Sequence, residues 1–542
     1  MMKSEKPQDL LDWLGISNAP NWRVSRFLGG FLAFMVLLLF AMALLAAFAV
    51  ILKTLFPSLN TEAQSINLGA GALIAAMLGA PFVIWGTFLK YQTVRYQKEG
   101  HITDRINKAV EQLGAEKTVK KIVGDQTQET TEPNIEVRIG AILSLERIAQ
   151  DSTIYDNGRD HVRVMEILCA YVRENSKARP PEDFPEPEWE PLADDASAEE
   201  KAARHKLRQE RFGEMGFGGK ASKWAFGLPK PRPDIAQALH VLGRRTPDQR
   251  RVEAAWPAPP TRDTVWPFDI PCPRLPDLGL VQTHRKEEIA VFTEGFHNWQ
   301  DTSAAYSGYR LDLRGANLQG ADLSAKRPDG SDAVFSGALL TGTRMEGAGL
   351  RNARMEGTDL SFARMEGAIL AGARMEGTSL SDARMEGAGL RNARMEGAIL
   401  VGARIEGAVL RGARIEGTFL WHTRMEGANL SGAQMEGAIL WNTRIEGADL
   451  SGARMDENTS LAKADLSSAA LRRVDHTGVP ISAEQINSMF GDASVTLPKD
   501  IPRPAHWPVW ELPDYETHSF DAEWREWRDD PDGYVPPPKP EE

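Results

Sequence analysis

The chain has 542 residues, room for several domains, with 42% hydrophobic and 25% charged residues and a formal net charge of −12. Its 75 acidic and 63 basic residues are spread along the sequence, and no long basic block points to nucleic-acid binding. Only Cys169 and Cys272 carry thiols, which excludes a disulfide framework and leaves one bridge or, as a cytosolic domain would have it, two reduced side chains.

Residues 1–26 form a short segment with Lys3, Lys6, Arg23 and Arg26. Two uncharged stretches follow, 27–52 and 66–89, each longer than the roughly 20 residues that cross a bilayer core. The first is too long for the apolar part of a cleavable signal, and no small-x-small site leads from it into a mature domain. Lys90, Arg95, Lys98, Arg105 and Lys108 follow the second stretch, whereas the connection between the two holds a single basic residue, Lys53. Both ends are therefore expected on the cytoplasmic side of a transmembrane hairpin, 27–89. Gly71, Ala75 and Gly79 recur every four residues, a spacing that lets the second span pack closely on the first. Neither stretch contains an ionisable residue, so a channel or proton relay has no support and an anchor is expected.

The next part, 90–175 together with 231–245, predicts a small helical module. Apolar residues fall three and four apart in His101–Ile122, Asn134–Gln150, Asp160–Arg173 and Ile235–Arg245, enough faces for one shared core. Between them, 176–230 is rich in proline and charge, from Pro180 to Pro191 and from Glu199 to Arg211. That composition predicts a mostly disordered insertion with at most a transient helix. Residues 246–308, with a proline-rich tract from Pro257 to Pro276, read as a linker.

From Phe335 to Met455 a bulky apolar residue stands at every fifth position, 25 times in succession, with Ala or Thr two residues before each. A period of five fits neither the 3.6 of a helix nor the 2.0 of a strand, so 309–474 must be a repeat architecture whose core forms only by stacking. An earlier register at Leu313, Leu318 and Leu323 is broken by 325–332, and after Met455 the phase slips by one. Blocks such as ANLQG, ADLSA and ARMEG resemble the pentapeptide-repeat consensus. That resemblance implies a right-handed quadrilateral β-helix with four pentads per coil and the middle residue inside.

On that implied geometry, residues twenty apart lie above one another and the exterior sorts into faces. Two opposite faces carry Arg and Glu columns, Arg344 to Arg444 with Glu346 to Glu446, and Arg354 to Arg454 with Glu356 to Asp456. They read as an exposed, solubilising coat or as a striped surface for a charged partner. A third face turns apolar at its C-terminal end, with Ile399, Val401, Phe419, Trp421, Ile439 and Trp441. The two tryptophans are expected to stack on successive coils. Such a patch is too apolar for bare solvent, so either the C-terminal tail or a protein partner is expected to cover it. The tail, 475–542, predicts a helix at Ile481–Phe490 with Ser482 as cap, over the open end of the rod, followed by Trp507, Trp510, Trp524 and Trp527.

No catalytic constellation appears. GEMGFGGKAS (213–222) departs from a phosphate-binding loop at Glu214 and Ala221, the histidines are scattered, and no metal-ligand spacing or nucleophile elbow occurs. No enzyme activity, cofactor or metal is expected.

The stretches RIGAILSLERIAQDS (138–152), DHVRVMEILCAYVREN (160–175) and PRPDIAQALHVLGRR (231–245) resemble a bacterial family of membrane-anchored pentapeptide-repeat proteins. In that family a transmembrane pair, a helical module and a pentapeptide solenoid follow in the same order. The resemblance implies an inner-membrane protein with both termini cytoplasmic, displaying its rod to an unidentified protein partner or to a second copy. Mimicry of DNA toward a gyrase is the alternative, but 310–475 holds 21 basic and 22 acidic residues, not the acidic rod a mimic needs. A role as accessory to a signalling or transport complex is a further alternative without residue-level support.

Overall fold

The computed structural model describes residues 102–542 except 124–125, 156, 188–191, 194–195, 215–216, 276–285, 326–332, 516–517 and 541–542, with scattered positions from 38 to 90. The chain divides into two units, Met1–Asp104 and Arg105–Glu542. In the first, the described positions between 38 and 55 and at 79, 86 and 90 are helical. Most of the expected spans, 27–52 and 66–89, including Gly71 and Ala75, lie outside the described residues. Among those described, no helix is long and apolar enough to cross a membrane.

In chain order the elements from residue 102 onward are α1 (102–113), β1 (Glu116–Val123), β2 (Gln126–Pro133), α2 (Ile135–Tyr155), α3 (His161–Ser176) and α4 (Ala198–Phe212). A two-residue hairpin follows, β3 (Gly213–Glu214) with β4 (Phe217–Gly218), then α5 (Lys220–Gly227), α6 (Pro233–Gly243), α7 (Pro247–Ala255) and α8 (Lys286–Ala304). After the rod come β5 (Ala470–Leu471), α9 (Ala483–Asn487), β6 (Phe490–Gly491) and α10 (Phe520–Asp529).

Three sequence expectations need correction. The helix expected over His101–Ile122 stops at 113, and Glu116–Val123 pairs antiparallel with Gln126–Pro133. Gly114 ends the helix, and Thr118, Val119 and Ile122 are β-branched residues that favour a strand. The insertion expected to be disordered, 176–230, contains α4 and α5 and packs on the rod. Its Ser197 and Glu200 form a reciprocal capping box at the start of α4. The linker expected over 246–308 holds α7, a 3-10 turn at Pro267–Asp269 and α8. In both segments, aromatic side chains buried against the rod supply the order that local composition does not.

Helices α2, α3 and α6 pack on one another around Ile142, Leu145, Leu168, Val172, Ile235 and Leu239, all buried. This module seats on the first coil of the rod through buried polar groups. His161 Nε2 lies 2.9 Å from Glu253 Oε1, Arg245 Nη1 donates to Glu253 Oε2 at 2.5 Å, and Arg245 Nη2 donates to the Val334 carbonyl at 2.9 Å. The Val334 amide donates back to the Gly243 carbonyl at 2.8 Å.

The rod is a β-helix whose parallel bridges join residues twenty apart, as in Val334 to Arg354, Arg354 to Arg374 and Phe419 to Ile439. Before the interruption at 326–332 the offset is 27, as in Asp312 to Leu339, and beyond Met455 it is 21, as in Ile439 to Ser460. Leu, Met or Ile at each pentad centre and the Ala or Thr two before it fill the interior. The corners are turns in which the second residue after each centre has positive φ, as at Gly347 (φ +66). At the C-terminal end β5 pairs parallel with β6, and α9 is capped by Ser482, whose hydroxyl accepts from Gln485 N at 3.1 Å. The tail closes this end: Trp507 Nε1 donates to the Met489 carbonyl at 2.8 Å, and Phe490, Phe520, Trp527 and Tyr534 form one cluster.

Candidate interaction surface

The charged columns lie on opposite faces, as the twenty-residue coil requires, but they are not an exposed coat. Glu346, Glu376, Glu396, Glu406 and Glu416 have no accessible surface. Arg364, Arg374, Arg384, Arg394, Arg404 and Arg414 each reach both the glutamate of their own pentad and that of the preceding coil. Arg364 stands 3.1 Å from Glu366 and 3.2 Å from Glu346, and Arg384 stands 3.5 Å from Glu386 and 3.1 Å from Glu366. On the opposite face Arg414 stands 2.9 Å from Glu416 and 3.0 Å from Glu396. The result is a zigzag of ion pairs from Glu346 to Glu406 on one face and from Glu356 to Glu416 on the other.

Burial pushes the carboxyls up, and the like charge one coil away adds to it. Glu346 and Glu386 are raised to about 7, and Glu376 and Glu416 to about 8, with the neighbouring arginines opposing the rise.

The chain itself covers the first face along the rod and the second from Gly337 to Gly397. On the first, Asp183 bridges Arg344 at 2.8 Å and Arg364 at 2.7 Å, and α5 lies over Gly347 and Gly367. Phe212 of α4 rests on Gly407, and Arg208 rests on Gly427 and donates to the Glu446 carbonyl at 3.1 Å. On the second face Phe268 lies over Gly337 and Gly357, Trp299 over Gly377 and Phe296 over Gly397. A side chain at Gly397 would overlap the Phe296 ring. Cys272 and Leu275 complete this cluster, and both cysteines are buried free thiols, Cys169 being raised to about 12 by desolvation.

Among the described residues, the third face is left uncovered. Ile399 is 40%, Trp421 42% and Trp441 37% exposed, on three adjacent coils, with Val401, Phe419 and Ile439 half-buried beside them. The tail packs over the end of the rod instead. Each indole packs edge-on against another ring rather than on the other indole: Trp421 against Phe419 at 6.1 Å and Trp441 against His422 at 5.0 Å. Lys463 lies over the Trp441 ring at 5.3 Å. Among the described residues no group of three or more His, Cys, Asp and Glu side chains could hold a metal ion.

The covering residues Phe212, Phe268, Phe296 and Trp299 escaped the sequence reading, although a signal was present. All pentads of the two charged faces from Gly337 to Gly447 have glycine at the corner, whereas four of the six third-face corners hold Phe362, Asp382, His422 and Asn442, also with positive φ, beside Gly342 and Gly402. Conformation alone does not demand glycine there; close approach of another segment does.

The geometry is that of a repeat solenoid, and the family comparison agrees. The family of pentapeptide repeats matches in eight copies, over residues 331–370, 358–397, 390–427, 398–442 and 420–452. The rod is thus a pentapeptide-repeat solenoid over 331–452. No curated protein matches the sequence. Among solved structures the chain is similar to HetL, a pentapeptide repeat protein involved in heterocyst differentiation regulation from the cyanobacterium Nostoc, at 23% identity over 44% of this chain and 100% of that one, with a TM-score of 0.22. It is also similar to the pentapeptide repeat protein Rfr23 from the cyanobacterium Cyanothece, at 21% identity over 22% of this chain and 63% of that one, TM-score 0.14. A third is QnrB1, a plasmid-mediated fluoroquinolone resistance protein, at 18% identity over 35% and 94%, TM-score 0.16. At such scores these likenesses carry no functional argument.

Proposed function

We propose that the protein is a non-enzymatic scaffold that displays its solenoid for protein–protein interaction, tethered to a bacterial inner membrane by a hairpin of 27–52 and 66–89 with both termini cytoplasmic. The observation that carries the interaction is the bare third face. The chain clothes the first charged face and the second as far as Gly397, while Ile399, Trp421 and Trp441 stand exposed side by side. An apolar patch with two indoles is the composition that partner surfaces anchor on. The charge pattern of the tether supports the orientation, since basic residues flank both stretches and only Lys53 lies between them. A DNA-like role gains nothing from the rod, whose glutamates are buried and paired with arginines.

The test is crosslinking in native membranes with Trp421→Ala combined with Trp441→Glu. Loss of crosslinked partners with an intact rod supports the reading; recovery of the same partners as the unaltered protein rejects it. Protease added to inner-membrane vesicles of known orientation tests the topology, which fails if the solenoid is protected on the cytoplasmic side.

A further inference from the structure

The glycine corners of the charged faces act as seats for the chain's own covering residues. All six on the first face, Gly347 to Gly447, and the first four on the second, Gly337 to Gly397, are in contact with a covering side chain or backbone. The next two on the second face are not. Among the described residues, a side chain at Gly417 would meet nothing within 4 Å, and one at Gly437 would meet only the backbone of Gly417, at 3.9 Å. Positive φ alone does not explain glycine here, because four of the six third-face corners hold Phe362, Asp382, His422 and Asn442 at similar φ.

The two vacant seats line a groove of about 790 Å³ between α8 and the last coils of the rod. Phe292 and Phe296 form one wall and Phe419 and Ile439 the floor, so the groove runs on from the Trp421 patch. Its rim carries Glu294, Asp456 and Glu457, and none of its lining residues is Lys or Arg. Glu436 beneath them is 3.1 Å from Arg454 and belongs to the ladder. In α8, Phe296 and Trp299 are three residues apart and fill seats one coil apart. Three helical residues rise about 4.5 Å and one coil about 4.8 Å, so the two spacings match.

Resting on the scaffold reading, we infer that this groove takes an amphipathic helix of a partner protein, with large apolar or aromatic residues at i and i+3 seated on Gly417 and Gly437 and basic residues facing Glu294, Asp456 and Glu457. The partner repeats on the vacant coils what α8 does on the preceding ones. The acidic rim opposes a phosphate-bearing surface, whether anionic lipid or nucleic acid.

Fluorescence anisotropy of the purified full chain in detergent tests this with a synthetic 15-residue helical peptide carrying two Phe at i and i+3 and three Lys. Saturable binding is expected, weakened about tenfold or more in a twin with Glu for Lys, and lost when both Phe become Ala. Glu294→Lys with Glu457→Lys, on the exposed rim, should reverse the preference between the twins. No saturable binding, or equal binding of the twins, overturns the inference. So does binding that appears only after 276–285 is replaced by a glycine–serine linker of equal length, which would give the groove to the chain itself. Dimerisation by sedimentation that is lost in the rim variant would give it to a second copy, and also overturns it. If the peptide fails while Trp421→Ala/Trp441→Glu still loses its crosslinks in membranes, the groove inference falls and the scaffold reading stands. If the peptide binds while those crosslinks persist, the reverse holds.

Discussion

Phe296 rests on Gly397 so closely that a methyl group at Gly397 would overlap its ring. This contact joins α8 to the fourth of six glycine corners on one face and shows why the pentads of the charged faces end in glycine. The corner is a turn and a seat at once.

Gly397→Ala therefore carries two penalties. Positive φ costs an alanine about 1–2 kcal/mol, and overlap with Phe296 adds about 1–3 kcal/mol. Gly342→Ala, at a corner with φ +65 and nothing within 4 Å, meets only the first. Urea unfolding should show the larger loss for Gly397→Ala, with α8 becoming the first site of proteolysis in that variant alone.

Removing Phe212, which is 1% exposed and seated on Gly407, should loosen the cover of the first charged face. Phe212→Ala is expected to cost about 3–5 kcal/mol locally. Limited proteolysis should cut within 182–228 before the rod, whose interior residues Phe212 does not reach, and the solenoid fragment should survive.

Stability should fall as pH rises through neutrality. Glu346 and Glu386, raised to about 7, and Glu376 and Glu416, raised to about 8, keep protons in the folded chain that the unfolded chain releases near 4.5. The folded state thus binds more protons between about 5 and 8, and its stability drops over that window. Below about 4 the opposite sign takes over, because Asp183, Asp234 and Asp312 are held below the usual carboxylate range, in each case by neighbouring arginines against the burial that would raise the first two. Melting temperature against pH should peak between about 4 and 5. Glu376→Gln should flatten the alkaline limb; an unchanged limb would mean that the buried ladder is fully ionised.

The joint between helical module and rod depends on Glu253, buried between His161 and Arg245. Glu253→Ala strands Arg245 in the interior and should cost about 3–5 kcal/mol, read as an earlier thermal transition. Glu253→Gln, which keeps one acceptor, should lose less.

The rod was legible because its period admits one architecture, and the interior positions follow from Leu340 or Ala338 alone. Which faces meet solvent was not legible. Arg344 and Glu346 look solvated by composition, yet Asp183 and α5 cover them from more than a hundred residues away in sequence. The same long-range packing orders α4, α5, Pro267–Asp269 and α8, where proline and charge suggest a loose chain. The Trp421 and Trp441 patch was visible from twenty-residue spacing, but its bareness depended on where the tail went: Trp507 and Trp527 pack on Met489 and Phe490 rather than on the third face. The first strand of the hairpin, Glu116–Val123, reads as the end of a helix over His101–Ile122 because its alternation is short and its exposed residues bury little.

Hydroxyl-radical footprinting of the tryptophans tests the central claim, that the chain clothes the first charged face and the second as far as Gly397 and leaves the third face for a partner. In the purified protein Trp421 and Trp441 should be oxidised quickly while Trp266, Trp299 and Trp507 stay protected, and in native membranes Trp421 and Trp441 should become protected as well. Protection of Trp421 and Trp441 in the purified protein, or equal oxidation in both settings, would contradict it.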